Sequence, residues 1–216
     1  GNTVYPADKL NEALQMKRGD VYNQKKMDER LNSDEDAIQS QYYNNGYVFL
    51  RLDPVEVNVD GDSIDVEMRL NEGRQATINR VRIAGNDRLY EEVIRRELRT
   101  KPGDLFSKAA IERSYREIAQ MGHFNPETIN PDIKPDEETG TVDINWMLES
   151  KANDQIELSA GWGQTGVIGR VSLKFTNFSM ANLFKKSENK RGFLPQGDGQ
   201  TLTVSGQTNG DYYQSY

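Results

Sequence analysis

The chain has 216 residues, a formal net charge of −7 at pH 7, no cysteine and one histidine. Without cysteine there are no disulfides, thiol nucleophiles or Cys-ligated zinc, and one histidine leaves little material for a His-based metal site or a Ser-His-Asp triad. An acidic chain lacks the basic surface of a nucleic-acid-binding protein. No apolar run reaches the roughly 18 residues of a transmembrane helix. We therefore expect no enzyme, no cofactor and no nucleic-acid partner.

An internal repeat relates two parts of the first 150 residues. Several matches share an offset of 84 residues: Gly1-Asn2 with Gly85-Asn86, Leu14 with Leu98, Lys17–Asp20 with Lys101–Asp104, and Val21-Tyr22 with Leu105-Phe106. Further on, Gly46 faces Gly122, so the offset has fallen to 76 residues. The first copy therefore carries eight extra residues around Leu31 to Ile38. We expect them to lengthen a helix by about two turns.

Each copy follows a β-α-α-β-β pattern. In the second copy we predict three strands, at Thr77–Ile83, near Ile129–Lys134 and near Val142–Leu148. We also predict two helices between the first and second strands. One is capped by Asp87 and ends near Leu98, and the other is capped by Ser107 and ends at Met121. In the first copy, two predicted strands with alternating apolar and polar residues flank Asp60-Gly61, a dipeptide that strongly predicts a hairpin turn. That copy begins at its Gly-Asn pair, so its opening strand is expected upstream of residue 1.

The pattern changes after Ser150, where strands of about ten residues follow one another without helices. Apolar residues alternate with polar ones, as in Ile156, Leu158, Ala160, Trp162, then Val171, Leu173, Phe175, and later Leu202 and Val204. This pattern is typical of a transmembrane β-barrel. The charge changes at the same point, since residues 151–216 carry seven Lys and Arg against five Asp and Glu, which leaves −9 for residues 1–150.

Five segments carry a resemblance to a known family, together with the paired Gly-Asn dipeptides. They are Tyr42–Tyr47 (YYNNGY), Gly103–Ser107 (GDLFS), Ile118–Phe124 (IAQMGHF), Ile156–Val167 (IELSAGWGQTGV) and Asn182–Phe184 (NLF). In this order they resemble the BamA family of outer-membrane protein assembly factors. In that family, POTRA repeats precede a β-barrel of the surface-antigen type.

The resemblance implies an α+β fold, with tandem β-α-α-β-β POTRA modules followed by the first antiparallel strands of a truncated transmembrane β-barrel. Residues 1–75 would form a module without its first strand, residues 76–150 a complete module, and residues 151–216 the incomplete barrel. The first barrel strand would carry Ile156, Leu158, Ala160 and Trp162. The implied location is the outer membrane of a Gram-negative-type bacterium, with residues 1–150 facing the periplasm.

The resemblance also implies a function without catalysis. The family binds unfolded β-barrel outer-membrane proteins and helps to insert them, so the implied partners are these client proteins, accessory assembly lipoproteins and, in the full-length protein, outer-membrane lipid. Two alternatives remain within this interpretation. One is a related barrel for protein secretion or translocation, and the other is a scaffold that docks lipoproteins without touching clients.

Client binding is expected where a POTRA sheet leaves a strand unpaired. The POTRA arrangement orders the strands first, third, second, so the middle strand lies at an edge, where an extended client can add itself as another strand. The predicted client-binding residues are Arg51, Leu52, Asp53, Val55, Glu56, Val57, Asn58 and Val59 in the first module, and Ile129, Asn130, Asp132, Ile133 and Lys134 in the second. These edges also have a simpler interpretation, in which they bind no client. Proline has no backbone N–H group and so protects an edge strand against aggregation, and the two strands contain Pro54, Pro131 and Pro135.

Other candidate sites have simpler interpretations. His123 stands where the first copy has Tyr47, which favours a packing residue over a metal ligand. The basic stretch from Lys185 to Arg191 is interpreted as a solvated loop or a lipid-headgroup contact. An enzyme with paired carboxylates would need two acids about 5–10 Å apart across a cleft, and the sequence marks out no such pair. A small α/β nucleic-acid module is disfavoured by the charge of −9 on residues 1–150.

Overall fold

The computed structural model describes residues 2–163, 166–183, 194–209 and 213–215. The basic stretch from Lys185 to Arg191 lies outside the described residues. The chain forms two compact units, and their boundary runs through the second repeat. The first unit contains Gly1–Arg82, Arg99–Ser114 and Pro131–Asn145, and the second contains Ile83–Leu98, Tyr115–Asn130 and Trp146–Tyr216. In the described residues, no helix is both long enough and apolar enough to cross a membrane.

The first repeat consists of three short helices followed by a hairpin. Its elements are α1 (Ala7–Leu14), α2 (Gln24–Asp28), α3 (Ile38–Tyr43), β1 (Arg51–Asp60) and β2 (Ser63–Asn71). The predicted hairpin is confirmed, because Asp60 pairs with Ser63 and the two residues between them form the loop. The first of these, Gly61, has a φ of +55°, which favours glycine.

The eight extra residues of the first copy do not lengthen a helix, so that expectation was wrong. A π-helical segment, Glu29–Ser33, follows α2, and the chain then turns before α3 begins. The buried guanidinium of Arg30 stabilises this break. It donates hydrogen bonds to the carbonyl oxygen of Ala13 and to the carboxylates of Asp34 and Asp36. These bonds attach the break to α1.

The second repeat has the predicted β-α-α-β-β order. Its elements are β3 (Thr77–Ala84), α4 (Glu91–Glu97), α5 (Lys108–Gln120), a short 3-10 helix at Pro126–Thr128, β4 (Asn130–Asp136) and β5 (Thr141–Met147). The three strands are arranged in the order β3-β5-β4. The last strand in sequence is therefore central, and β4 lies at an edge as expected.

Local hydrogen bonds set the starts of the two helices in the second repeat. Helix α5 begins where predicted, because the Ser107 hydroxyl accepts a hydrogen bond from the amide of Ala110. Helix α4 begins three residues later than predicted, so Asp87 does not cap it. Instead, the Leu89 amide donates to the carbonyl oxygen of Asn86, and the Asn86 side chain donates to that of Leu89. This turn delays the helix.

The last part of the chain forms a four-stranded antiparallel sheet. Its strands are β6 (Gln155–Gly163), β7 (Gly166–Phe178), β8 (Gln200–Asn209) and β9 (Tyr213–Ser215), in that order. Ile156 faces Leu173, which in turn faces Val204. Because directly paired residues point to the same side, the predicted apolar positions share one face. Across the described residues this sheet is open, with β6 and β9 at its ends.

Each repeat has its own buried apolar residues. In the first repeat, the core cluster is Met27, Leu31, Ile38, Tyr42 and Leu50. In the second repeat, the buried residues include Ile78, Val81, Leu89, Ile94, Leu98, Phe106, Ile111, Ile118, Phe124, Val142, Ile144 and Trp146. Most of these second-repeat residues lie within the helices and strands predicted from the sequence.

Candidate strand-addition sites

Strand β1 lies at the edge of a two-stranded sheet. In the described part of the chain it pairs only with β2, so its other side presents unpaired N–H and C=O groups. Leu52 and Val55 are half-buried, and the other predicted residues are exposed. The strand contains all eight residues predicted in this module, namely Arg51, Leu52, Asp53, Val55, Glu56, Val57, Asn58 and Val59.

Two features shorten the part of β1 that can accept another strand. Pro54 has no N–H group, and a proline fits into a sheet where its nitrogen faces away from the partner strand. Because backbone groups alternate in direction, the outward donors next to Pro54 belong to Leu52 and Glu56. Beyond Glu56 the register with β2 shifts, which marks a β-bulge at Val57. The regular edge therefore ends at Glu56.

A groove of about 820 Å³ runs beside β1, within the first unit. Met27 and Leu31 belong to the core cluster, so the groove has an apolar floor, while Lys25, Asp28 and Glu56 add charge around it. An extended peptide paired to β1 would place alternate side chains in this groove. The lining residues are Tyr22, Gln24, Lys25, Met27, Asp28, Leu31, Asn32, Pro54, Val55, Glu56 and Val66.

The first residue of β1 already has a partner. The Arg51 guanidinium lies 3.3 Å from the carboxylate of Glu137, in the turn between β4 and β5. The Arg74 side chain donates a hydrogen bond to the carbonyl oxygen of Glu137. Both side chains of the Arg51–Glu137 pair are exposed, so the pair contributes little stability. Arg51 is therefore better placed to orient this turn than to bind a client.

Strand β4 is the second predicted edge, and it offers fewer donors than β1. Pro131 and Pro135 are four residues apart, so their nitrogens point to the same side, which must be the outer one. Between them, Ile133 supplies the one N–H group on that side. Ile129 lies before the strand and is 5 % exposed, so it belongs to the core. The predicted residues within β4 are Asn130, Asp132, Ile133 and Lys134.

The residues predicted for the first barrel strand lie together on one face of the four-stranded sheet. Ile156, Leu158, Ala160 and Trp162 are all exposed. The same face carries further exposed apolar residues, namely Val167, Val171 and Val204. The opposite face is mostly polar, with Glu157, Ser159, Arg170, Ser172, Lys174, Thr203 and Ser205. A contiguous exposed apolar face of this kind marks a surface that contacts another protein or a membrane.

Comparison with known proteins identifies the family. A family model described as "POTRA: Surface antigen variable number repeat" matches residues 1–73 and again residues 76–149. Together these matches cover more than half of the chain. The chain belongs to the POTRA family.

Curated relatives of this POTRA chain are outer membrane protein assembly factors. The Outer membrane protein assembly factor BamA of Neisseria meningitidis is 29 % identical over 167 residues, which cover 76 % of this chain and 20 % of the relative. A Putative outer membrane protein assembly factor of Treponema pallidum is 26 % identical over 174 residues, 80 % of this chain and 20 % of the relative. The chain thus spans about a fifth of the length of these relatives.

Solved structures share the fold of the POTRA chain. BamA from Haemophilus ducreyi lacking POTRA domains 1-3 has a TM-score of 0.65 at 21 % identity, over 94 % of this chain and 34 % of that chain. Haemophilus influenzae BamA POTRA3-5 has a TM-score of 0.57 at 19 % identity, over 66 % of this chain and 55 % of that chain. The resemblance seen in the sequence is confirmed, and the relatives' names agree with the predicted outer-membrane location.

Sequence reasoning missed a buried carboxylate in the first POTRA repeat. Glu72 accepts hydrogen bonds from the Thr3 and Val4 amides, from the Thr3 hydroxyl and from the Tyr42 hydroxyl. Burial alone would raise the pKa of Glu72, but these bonds outweigh it and lower the pKa to about 2. Burial and the bond to Glu72 raise the pKa of Tyr42. No short-range pattern singles out Glu72 among 34 acidic residues.

His123 is half-buried in the second unit. Burial and the neighbouring Arg88 lower its pKa, while Asp154 acts in the opposite direction. A Cβ atom on Gly199 would lie 3.3 Å from the imidazole Nε2, so this ring is closely packed, as predicted. Within the residues that the structure describes, no three His, Cys, Asp or Glu side chains group in a way that could hold a metal ion.

Proposed function

We propose that residues 1–75 and 76–150 are two POTRA modules and that residues 151–216 begin an outer-membrane β-barrel. The two family matches support the division between the modules. The open four-stranded sheet with one exposed apolar face supports the third part, since strands that face lipid alternate in this way. The first module contributes three helices and two strands.

The chain acts without catalysis, as a component that binds unfolded outer-membrane proteins in the periplasm and helps their insertion. The observation that carries this proposal is the free edge of β1 beside a groove with an apolar floor and charged sides. Main-chain pairing depends little on sequence, and the groove takes side chains of every second residue. This combination suits clients whose strands share only an alternating apolar pattern.

Of the two edges, β1 is the better client site. It offers two outward donors, Leu52 and Glu56, and lies beside a groove. Strand β4 offers one donor, Ile133, between two prolines. The groove beside β1 carries charges of both signs, so it does not select for acidic or for basic peptides. The edge of β4 instead resembles a strand protected from pairing.

Two further partners belong to the proposal for the full-length protein. The exposed face with Ile156, Leu158 and Trp162 contacts outer-membrane lipid, because this face has no polar cover in the described residues. Accessory assembly lipoproteins bind the POTRA modules at surfaces other than β1. A scaffold that docks only lipoproteins is the main rival, and a barrel for protein secretion is the second.

The test is a peptide titration of the whole ¹⁵N-labelled chain in detergent micelles. The probe is a synthetic peptide of residues 167–176, whose apolar residues alternate as in a barrel strand. We expect amide shifts from Leu52 to Glu56 and at Met27 and Leu31 in the groove. A control peptide with its alternate apolar residues replaced by serine should shift these amides much less.

Two proline variants separate the edges. Glu56→Pro removes an outward donor of β1 and should weaken peptide binding at least tenfold. Ile133→Pro makes the matched change on β4 and should leave binding unchanged. Equal weakening by both variants, or shifts confined to the helices, would contradict the proposed site. Absence of any shift at millimolar peptide would favour the lipoprotein scaffold.

A further inference from the structure

The segment before helix α4 is hydrogen-bonded to the connection between β7 and β8. The Tyr90 amide donates to the carbonyl oxygen of Gly197. The side chain of Asn177 donates to the carbonyl oxygen of Arg88. The side chain of Asn182 donates to the Tyr90 hydroxyl. All of these residues belong to the second unit, so the start of α4 is bonded directly to the four-stranded sheet within that unit.

A glycine of the same connection lies against His123. Gly199 has a φ of +68°, and a Cβ atom there would lie within 4 Å of three side chains, those of Leu89, Val93 and His123. The nearest atom is the imidazole Nε2, at 3.3 Å. Leu89 and Val93 belong to the start of α4, whereas His123 follows α5. Gly199 therefore fills the space between these two parts of the second repeat.

An ion pair lies close to the imidazole ring. The Arg88 guanidinium is 3.3 Å from the Asp154 carboxylate and donates a 3.1 Å hydrogen bond to the side-chain oxygen of Gln196. The second carboxylate oxygen of Asp154 accepts a bond from the Thr176 amide. Both side chains of the pair are 29 % exposed, so they are partly shielded from solvent. Arg88 thus connects the segment before α4 to the sheet and to the β7–β8 connection.

The surroundings of His123 disfavour a positive charge on its ring. Burial removes water from the imidazole and Arg88 repels its protonated form, so the pKa of His123 is lowered below 6.5. Asp154 acts in the opposite direction, but it is already paired with Arg88 and does not reverse the shift.

The other groups packed around the ring supply no compensating charge. Leu89, Val93 and the backbone of Gly199 are uncharged. The carboxylate of Asp198, next to Gly199 in the chain, accepts a hydrogen bond from the Ser179 hydroxyl. Lys151 bonds to the carbonyl oxygen of His123 through its amide, and the lysine itself is exposed.

We propose that His123 makes the contact between α4 and the β7–β8 connection dependent on pH. While the ring is neutral, Gly199 packs against Nε2 and the contact is closed. A proton on the ring adds a second cation beside Arg88 that requires water, and Gly199 moves away from the ring to admit it. This change involves neither client binding nor lipid, so it does not depend on the function proposed above.

The direction of the pH dependence follows from the pKa of His123. A histidine whose pKa is lowered by folding stabilises the folded contact in its neutral form. This stabilisation is complete above about pH 6.5 and is lost as the pH falls from 6.5 through the lower pKa of the folded state. Asp and Glu ordinarily titrate near pH 4, so measurements above pH 5 report mainly on the histidine.

The first test measures closure of the contact in the full chain, in detergent micelles, at pH 7.5 and pH 5.0. The readout is the protection of the Tyr90 and Gly197 amides against hydrogen exchange, corrected for the intrinsic rate at each pH. We expect this protection to fall at least twofold at the lower pH. The Ala76 amide, bonded to the carbonyl oxygen of Gly46 in the first unit, should keep its protection.

His123→Phe is the matched variant, because it keeps an aromatic ring and removes the titrating group. In this variant, the protection of Tyr90 and Gly197 should no longer depend on pH. Constant protection in the wild type, or an equal fall in His123→Phe, would overturn the proposal.

A second measurement titrates the imidazole resonances, which belong to one residue because His123 is the only histidine in the chain. We expect a midpoint below pH 6.5 in the wild type. Arg88→Gln should raise it, because the repelling cation is gone and Asp154 is released. Arg96→Gln, an exposed change on α4, should leave it unchanged. A midpoint at or above 6.5 in the wild type would overturn the proposal even if His123→Phe fails to fold.

Discussion

The hydroxyl of Tyr42 donates a 2.8 Å hydrogen bond to the carboxylate of Glu72, which follows it by 30 residues. The same carboxylate accepts bonds from the backbone of Thr3 and Val4. One side chain therefore connects the N-terminal segment, the last helix of the first POTRA repeat and the end of its hairpin. Because both Tyr42 and Glu72 are buried, loss of either partner leaves a polar group without compensation.

Tyr42→Phe should destabilise the chain by about 1.5 kcal/mol, because it removes a bond to a charged group in the interior. Tyr43→Phe is the matched control. The Tyr43 hydroxyl accepts a bond from Gln39 on a more exposed surface, so its loss should cost less than about 0.5 kcal/mol. Urea unfolding followed by circular dichroism measures both. Equal effects of the two variants would contradict the special role of Tyr42.

The low pKa of Glu72 predicts how stability depends on pH. The folded state lowers this pKa from 4.5 to about 2, so the carboxylate stabilises the fold fully above about pH 4.5. That contribution is lost as the pH falls from 4.5 towards 2. Glu72→Gln should therefore cost about 2 kcal/mol at pH 7 and clearly less at pH 2.5.

Urea titrations of the wild type and Glu72→Gln between pH 2.5 and 7 test this dependence. Glu67→Gln, an exposed change on β2, should follow the wild type at every pH. A gap between wild type and Glu72→Gln that stays constant over this range would show that folding does not shift the pKa of Glu72.

Gly46→Ala should weaken the contact between the two repeats in which the side chain of Leu105 lies over the backbone of Gly46. Its φ of +84° strains any other residue, and the new methyl group would meet Leu105. Gly19→Ala carries the same backbone strain at φ +91°, but an added Cβ atom there has no neighbour within 4 Å. We expect Gly46→Ala to cost at least about 1 kcal/mol more than Gly19→Ala.

A double variant isolates the steric part of this effect. In a Leu105→Ala background, the clashing side chain is gone. Gly46→Ala should then lower the free energy of unfolding by about the same amount as Gly19→Ala does. Urea midpoints of the four chains complete the cycle. An excess that persists in this background would show that contact with Leu105 is not its cause.

Trp162 should report contact of the four-stranded sheet with an apolar phase. It is 85 % exposed on the apolar face, whereas Trp146, the other tryptophan, is fully buried. Addition of detergent micelles should reduce acrylamide quenching of the total fluorescence at least twofold. Trp162→Phe should abolish that change and leave the quenching of Trp146 low with or without detergent. A detergent effect that survives in Trp162→Phe would place the contact elsewhere.

Short-range signals were sufficient to predict most of the second repeat. The Ser107 cap, the end of α5 near Met121 and the strand near Val142–Leu148 depend on signals within a few residues, and each was confirmed. The start of α4 was missed because Asn86 and Leu89 form a competing turn that leaves Asp87 outside the helix. Asn86 and Asp87 both favour turns and helix caps, so their intrinsic propensities do not decide where α4 begins.

Long-range partners could not be predicted. The π-helical break after α2 depends on Arg30 reaching Ala13, 17 residues earlier, and the buried state of Glu72 depends on Thr3, 69 residues earlier. Neither partner stands out by residue type or spacing. The edge positions of β1 and β4 were predicted from the repeat pattern and the POTRA resemblance, but the bulge and the groove beside β1 depend on three-dimensional packing.

The brevity of the regular edge of β1 has a kinetic consequence. Between Arg51 and the bulge at Val57 it offers two outward N–H groups, so a client strand gains few main-chain bonds there. An affinity near 1 mM corresponds to about −4 kcal/mol. With association at about 10⁵–10⁷ M⁻¹s⁻¹, such a strand departs within about 0.1–10 ms. Under the proposed function, a client strand bound at β1 is therefore held only briefly and leaves before it can fold at the site.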